Sequence, residues 1–225
     1  MALLDRIRRL LRRSRPASRV GTRRPTQAPR PRDAAREDVL RAQLQDNPND
    51  IEAFRALADL VRRRAIEAPH ADPLTAEAEP ADRQAGADVA VWALAEELAG
   101  NPRGWYPLIE LARLSLVDDH EGAMRRLGAA VERETSGRAL ADGILVLREA
   151  GMAQDGLGFG VGHWDPASQI PEAGRQVVLA ALDAQRPADA RRHLAELAAA
   201  AGDDAETGAV VDELTALVAR AETSA

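Results

Sequence analysis

The chain has 225 residues, of which 45% are hydrophobic, 29% charged and 3% aromatic, and it contains no cysteine. That length and apolar content suffice for one or two compact cores. The missing thiols exclude a disulfide framework and thiolate zinc ligation, and fit a reducing, cytoplasmic compartment.

All thirty basic residues are Arg, a usage that fits GC-rich coding of the actinobacterial type. The net charge of −6 hides an asymmetry. Residues 1 to 32 hold eleven Arg against Asp5 alone, a charge of +10, and the remainder holds nineteen Arg against thirty-five acids, a charge of −16. A basic arm on an acidic body implies an anionic surface as partner of the arm, or a body that folds back on it.

Residues 2 to 15 place Leu3, Leu4, Ile7, Leu10 and Leu11 on one helical face and Arg8, Arg9, Arg12 and Arg13 on the other. Such a basic amphipathic helix, residues 1 to 15, predicts peripheral attachment to an anionic membrane surface at the inner face of the plasma membrane. Docking on a protein, contact with nucleic acid and a targeting role remain alternatives for it. No run of about 18 apolar residues exists anywhere, so no membrane span is expected. Residues 16 to 32 carry Pro16, Pro25, Pro29 and Pro31 among Arg, Ser and Thr, which predicts a disordered linker.

From residue 33 to 225 the pattern is helical. Asp33 is the expected N-cap of a first helix, and Asn47-Pro48 its end. A second begins near Asp50 with Ile51, Phe54, Leu57 and Leu60 at helical spacing. An acidic insert with Pro69, Pro73 and Pro80, residues 67 to 84, is expected as a loop or a poorly ordered lobe, its acids available to the Arg tail. Helices resume at about Asp88 and run to Gly100, then over GWYPLIELARLSL, HEGAMRRLGAAVERE and RALADGILVLREAG. EAGRQVVLAALDA and a helix opened by Pro187 follow, and a last amphipathic helix over about 206 to 222 is expected to cap the stack.

A Leu followed by a small residue organises these helices: Leu57-Ala58, Leu111-Ala112, Leu145-Val146 and Leu179-Ala180. The last three stand 34 residues apart, and the first precedes by 54, one step plus the insert. A fixed period of that size predicts stacked helical hairpins and an all-α fold.

These residues resemble a tetratricopeptide repeat. The resemblance rests on the Leu-small pair, on Asn-Pro closing the second helix at Asn47-Pro48 and Asn101-Pro102, and on Ala-x3-Leu at Ala90/Leu94, Ala123/Leu127 and Ala190/Leu194. It covers about residues 34 to 200, with the Gly of the family's Leu-Gly pair replaced by Ala or Val.

The resemblance implies a right-handed α-solenoid with a concave groove for a protein or peptide partner. Carried over by position, that groove falls on Glu52, Arg55, Asp59 and Arg62, then on Tyr106, Ile109, Arg113 and Leu116, and later on Gly143, Leu147 and Val177. The Asn of the family's carboxylate-holding form is absent, with Asp59 and Arg113 in its place, which favours a mixed or apolar groove.

Nothing in the chain reads as a reaction centre. DGLGFGVGHWDP alternates Gly156, Gly158, Gly160 and Gly162 with apolar residues, yet lacks the preceding strand and the Lys or Ser/Thr of a phosphate loop. A distorted, closely packed helix, a partner-binding kink and a ligand loop all fit it. His70, His120, His163 and His193 have no metal-ligand spacing, and Ser115, Ser136 and Ser168 sit in no nucleophile elbow. The expectation is a non-enzymatic interaction scaffold without metal, cofactor or small-molecule substrate. The alternative is a soluble adaptor whose Arg tail binds nucleic acid.

Overall fold

In a computed structural model the described residues are 31 to 67, 80 to 202 and 204 to 224. They form ten α-helices and, among the described residues, no strand. Ala and Leu dominate the core, and both are strong helix formers without a branch at Cβ, which favours packed helices over a pleated surface. The expected basic helix of residues 2 to 15, with Leu3, Leu4, Ile7, Arg8, Arg9, Leu10, Leu11, Arg12 and Arg13, lies outside the described residues, as do residues 16 to 30 and 68 to 79.

The chain divides after Met124 into two compact units. The first contains α1 (Pro31–Asp46), α2 (Ile51–Glu67), α3 (Pro80–Ala99) and α4 (Tyr106–Ser115). Each packs on the next, around Leu44, Phe54, Leu57, Tyr106, Ile109 and Leu116, all nearly inaccessible. Surface ion pairs tie α1 down: Glu37 meets Arg64 of α2, and Arg41 bridges Glu37 and Glu97 of α3. Such pairs contribute little each, and they orient the helix more than they hold it.

Two boundaries differ from expectation. α1 starts at Pro31, two residues before Asp33, and α3 starts at Pro80 rather than near Asp88, so residues 80 to 84 of the expected loop are helical. Both starts place Pro in a first turn, where its missing N–H costs nothing and its fixed φ suits the helix. Ala85 and Ala87 are already buried, so the packed face of α3 begins before the Val and Trp residues that marked it in the sequence.

α5 (His120–Arg133) crosses the division, and its start is capped by Asp119, whose carboxylate accepts the Gly122 N–H at 2.9 Å. The second unit continues with α6 (Arg138–Glu149), α7 (Ala153–His163), α8 (Pro171–Asp183), α9 (Pro187–Ala201) and α10 (Ala205–Ser224). Within it, consecutive helices from α6 onward pack together, and alternate helices also touch, α6 on α8 and α8 on α10. Leu140, Ile144, Leu147, Val177, Val178 and Leu214 fill its interior.

The small residue of each Leu-small pair is buried in both units, as Ala58, Ala112, Val146 and Ala180, whereas Leu145 and Leu179 are half-buried. A small side chain at mid-helix lets a neighbouring backbone approach, which is why the position, more than its Leu, repeats.

The glycine-rich stretch is helix α7. Gly160 faces α6 and α8, where an added Cβ would lie 3.1 Å from Ile144 and 2.8 Å from Val177. Gly174 of α8 likewise has Trp164 and Leu197 where its Cβ would be, at 2.7 and 2.9 Å. Side chains of neighbouring helices seated on the bare backbone therefore explain Gly at both positions.

Candidate interaction surface

The first-unit surface is built where side chains of α2 and α4 meet. Phe54 and Tyr106 meet edge to face with ring centroids 5.4 Å apart, and Trp105 meets Tyr106 at 5.8 Å. Offset and edge-on contacts of this kind suit the ring quadrupoles. They bring Arg55 to the phenol: its Nε donates to Tyr106 Oη at 3.3 Å, and Oη in turn donates to Glu110 Oε1 at 2.8 Å. Burial, reinforced by the Glu110 carboxylate, holds the Tyr106 phenol in its neutral form and raises its pKa, while Arg55 opposes the rise.

The N-terminus of α4 has no cap from its own neighbourhood. Asn49, in the turn between α1 and α2, supplies one: Oδ1 accepts the N–H groups of Trp105 at 2.8 Å and Tyr106 at 3.1 Å, and Nδ2 donates to the Arg103 carbonyl at 2.7 Å. Sequence reasoning missed this residue. The turn-forming run Asn47-Pro48-Asn49-Asp50 marks a helix boundary, but nothing local shows that one of its amides reaches another helix.

Of the residues expected to line the groove, Arg55 and Asp59 are exposed on α2, Arg113 is exposed on α4, and Arg62 is partly so. Tyr106 and Ile109 are not surface residues: Ile109 has no accessible area and Tyr106 only 2%. Leu116, Leu147 and Val177 are buried as well, and Gly143 has Phe159 at 3.1 Å from where its Cβ would be. Positional carry-over fails on α4 because the helix is covered on two sides. Seven of its ten residues are buried, and only Glu110, Arg113 and Leu114 keep substantial exposure.

The accessible face is polar and carries both charges. Arg62 Nη1 lies 3.7 Å from Asp59, and Arg113 Nε lies 3.7 Å from Glu110. Arg62 Nε is buried with no hydrogen-bond partner. Such a face can recognise a polar or charged segment through side-chain hydrogen bonds, with Glu110 and the Tyr106 phenol fixing the position of Arg55.

The two described His residues nearest the glycine-rich helix have structural partners. The His163 ring lies 4.6 Å from Phe159, with Nδ1 2.9 Å from the Phe159 carbonyl in the last turn of α7. His193 is buried edge-on to Trp164 at 5.8 Å. Its Nε2 faces Arg192 at 3.1 Å and its Nδ1 faces Glu196 at 2.9 Å. An Arg can only donate, so Nε2 accepts and the proton sits on Nδ1, directed at Glu196. Among the described residues no group of three or more His, Asp or Glu side chains is placed to hold a metal ion. No family model, no curated protein and no solved structure matches this chain.

Proposed function

We propose that the chain is a non-enzymatic interaction scaffold, a right-handed solenoid of tetratricopeptide-like helix pairs tethered to the cytoplasmic membrane face by its Arg-rich N-terminal helix. The observation that carries the scaffold is the pattern of neighbours in the second unit, where consecutive helices pack together and α6 and α10 also pack on α8. Stacked hairpins produce that pattern, since each pair buries its apolar face against the following pair. The 34-residue recurrence of buried small residues supports the same architecture.

The tether rests on the sequence of residues 2 to 15 and on the +10 charge of residues 1 to 32. No helix among the described residues is long and apolar enough to cross a membrane, so attachment would be interfacial. One amphipathic helix gives reversible binding, which raises the concentration of the scaffold beside a membrane-bound partner without fixing it.

Co-sedimentation with vesicles tests the tether, comparing the full chain with a form lacking residues 1 to 32. Full-length protein should pellet with anionic but not neutral vesicles, less so at high salt, and the shortened form should stay in solution. Equal binding to both vesicle types would reject the tether. Steeply salt-dependent, tail-dependent binding to duplex DNA or RNA, without vesicle binding, would favour the nucleic-acid adaptor.

A further inference from the structure

Two of the four large exposed hydrophobics among the described residues, Val39 at 59% and Ile66 at 37%, belong to the first hairpin. Ala35, Val39 and Ala42 are exposed at i, i+4 and i+7, so they form one stripe of α1, turned away from the buried Leu40 and Leu44. Glu37 of α1 pairs with Arg64 of α2, which sets the C-terminal end of α2, with Ile66, beside the N-terminal half of α1. The chain enters α1 at this same end, at Pro31.

The two ends of the helical region differ. α10 rests on both α9 and α8, with Leu214 and Val218 buried. α1 has α2 as its main neighbour, and its outer stripe is bare. A helical stack needs its terminal apolar faces covered. One segment of this chain has the make-up to do so: residues 2 to 15, outside the described residues, with Leu3, Leu4, Ile7, Leu10 and Leu11 at helical spacing.

We propose that residues 2 to 15 dock their Leu/Ile face on the first hairpin, over Val39 and Ile66, and that an anionic membrane competes with the hairpin for that face. Reach permits the docking. Residues 16 to 30 can span up to roughly 50 Å, and Val39 lies about 12 Å along α1 from Pro31. A linker of that length holds a segment near its site at about millimolar effective concentration, so weak contacts suffice.

Charge selects the first unit. Residues 1 to 32 carry +10; residues 33 to 124 hold nine Arg against nineteen acids, a charge of −10, whereas residues 125 to 225 hold ten Arg against sixteen acids, a charge of −6. Asp38 on one edge of the α1 stripe and Asp46 at its end are exposed. Arg32 and Arg36 flank the opposite edge, which orients the segment with its guanidiniums on the Asp38 side. One apolar face cannot lie on α1 and in a bilayer at once. The competition rests on the tether proposed above; the docking does not.

The chain has no cysteine, so Ser14→Cys takes a single nitroxide at the end of the segment. In the full-length labelled protein without lipid, the amide signals of Val39 and Ile66 should broaden and those of residues 125 to 225 should not. Val39→Asp, a change at an exposed position, should abolish that broadening and raise affinity for anionic vesicles about threefold or more, the factor by which docking withholds the segment.

Unbroadened signals at Val39 and Ile66, or broadening that survives Val39→Asp, would overturn the proposal. So would broadening of equal strength when the label and the observed amides sit on different chains, which would make a second copy the source. Broadening abolished by Val39→Asp in a protein that binds no vesicles would establish the docking and reject the tether. Unchanged vesicle affinity in Val39→Asp, with the broadening lost, would overturn the competition.

Discussion

Asn49 caps a helix that starts 57 residues further on, its Oδ1 accepting the Tyr106 N–H at 3.1 Å. The same oxygen accepts the Trp105 N–H, so one amide satisfies two of the donors that any helix start leaves open. It also fixes the turn between α1 and α2 against α4, which brings Arg55 within reach of Tyr106. Asn49→Ala should therefore cost about 1–2 kcal/mol, the range for loss of a helix cap. Urea unfolding of the full chain measures this, and Asn49→Asp, which keeps the accepting oxygen, should lose less. A change in midpoint no greater for Ala than for Asp would show that the cap is not what stabilises this junction.

Tyr106 is the only tyrosine in the chain, so phenolate absorbance reads it alone. Its pKa is raised by burial first and by Glu110 second, so the native state holds the proton more tightly than the unfolded state does. An unfolded tyrosine ionises near pH 10. The stabilising contribution is thus fully present below about pH 10 and is lost as pH rises toward the native value. Phenolate should appear in the native protein only at a pH above that of the protein in denaturant, or together with unfolding. Tyr106→Phe should flatten the alkaline fall in stability. Coincident titration curves in buffer and in denaturant would contradict the geometry around Oη.

Glu134 does for α6 what Asn49 does for α4, over a shorter distance. Its carboxylate accepts the Ser136 N–H at 3.0 Å and the Ser136 hydroxyl, and the Ala139 N–H at 3.0 Å. Partial burial works against the charged form, but these donors outweigh it and the carboxyl pKa falls below its ordinary value. Stability from this cap is present above the unfolded glutamate pKa, near 4.3, and is lost as pH falls through the lower native value. Glu134→Gln should cost about 1 kcal/mol at neutral pH and reduce the acid-side slope of stability. An unchanged slope would assign the acid sensitivity to other carboxylates, such as Glu37 between Arg41 and Arg64.

The helices and most of their ends were legible because the chain marks them with residues that act locally. Pro187 opens α9, Gly151 at φ 75° closes α6, and Asp50 caps α2 by accepting the Ala53 N–H at 3.0 Å. The helix in the glycine-rich stretch was one of several readings, and what decides it is Val177 and Ile144 pressing on Gly160, contacts that arise only once α6 and α8 are in place. Ile109 falls in the groove only by carry-over from the family resemblance, and α4 is covered over a wider arc than that carry-over allows. The Asn49 cap was invisible because its geometry depends on helices far apart in sequence. Proline content predicts a loop at Pro80 in the insert and a linker at Pro31, although each begins a helix.

The two faces of α7 respond to the same substitution with opposite signs. At Gly160 an added methyl lands 2.8 Å from Val177 Cγ2 and 3.1 Å from Ile144 Cδ1, and both side chains are fully buried. Gly160→Ala should therefore destabilise the protein by about 1–3 kcal/mol, the usual cost of overpacking, despite the better helix propensity of alanine. At Gly158 the same methyl meets nothing within 4 Å, so only propensity acts and Gly158→Ala should gain up to about 1 kcal/mol. Thermal unfolding of the two variants beside the natural chain separates them, with Tm falling for the first and rising for the second. If both rose, α8 would not approach α7 as closely as these distances require. If both fell, Gly158 would be meeting a contact of its own inside the folded chain.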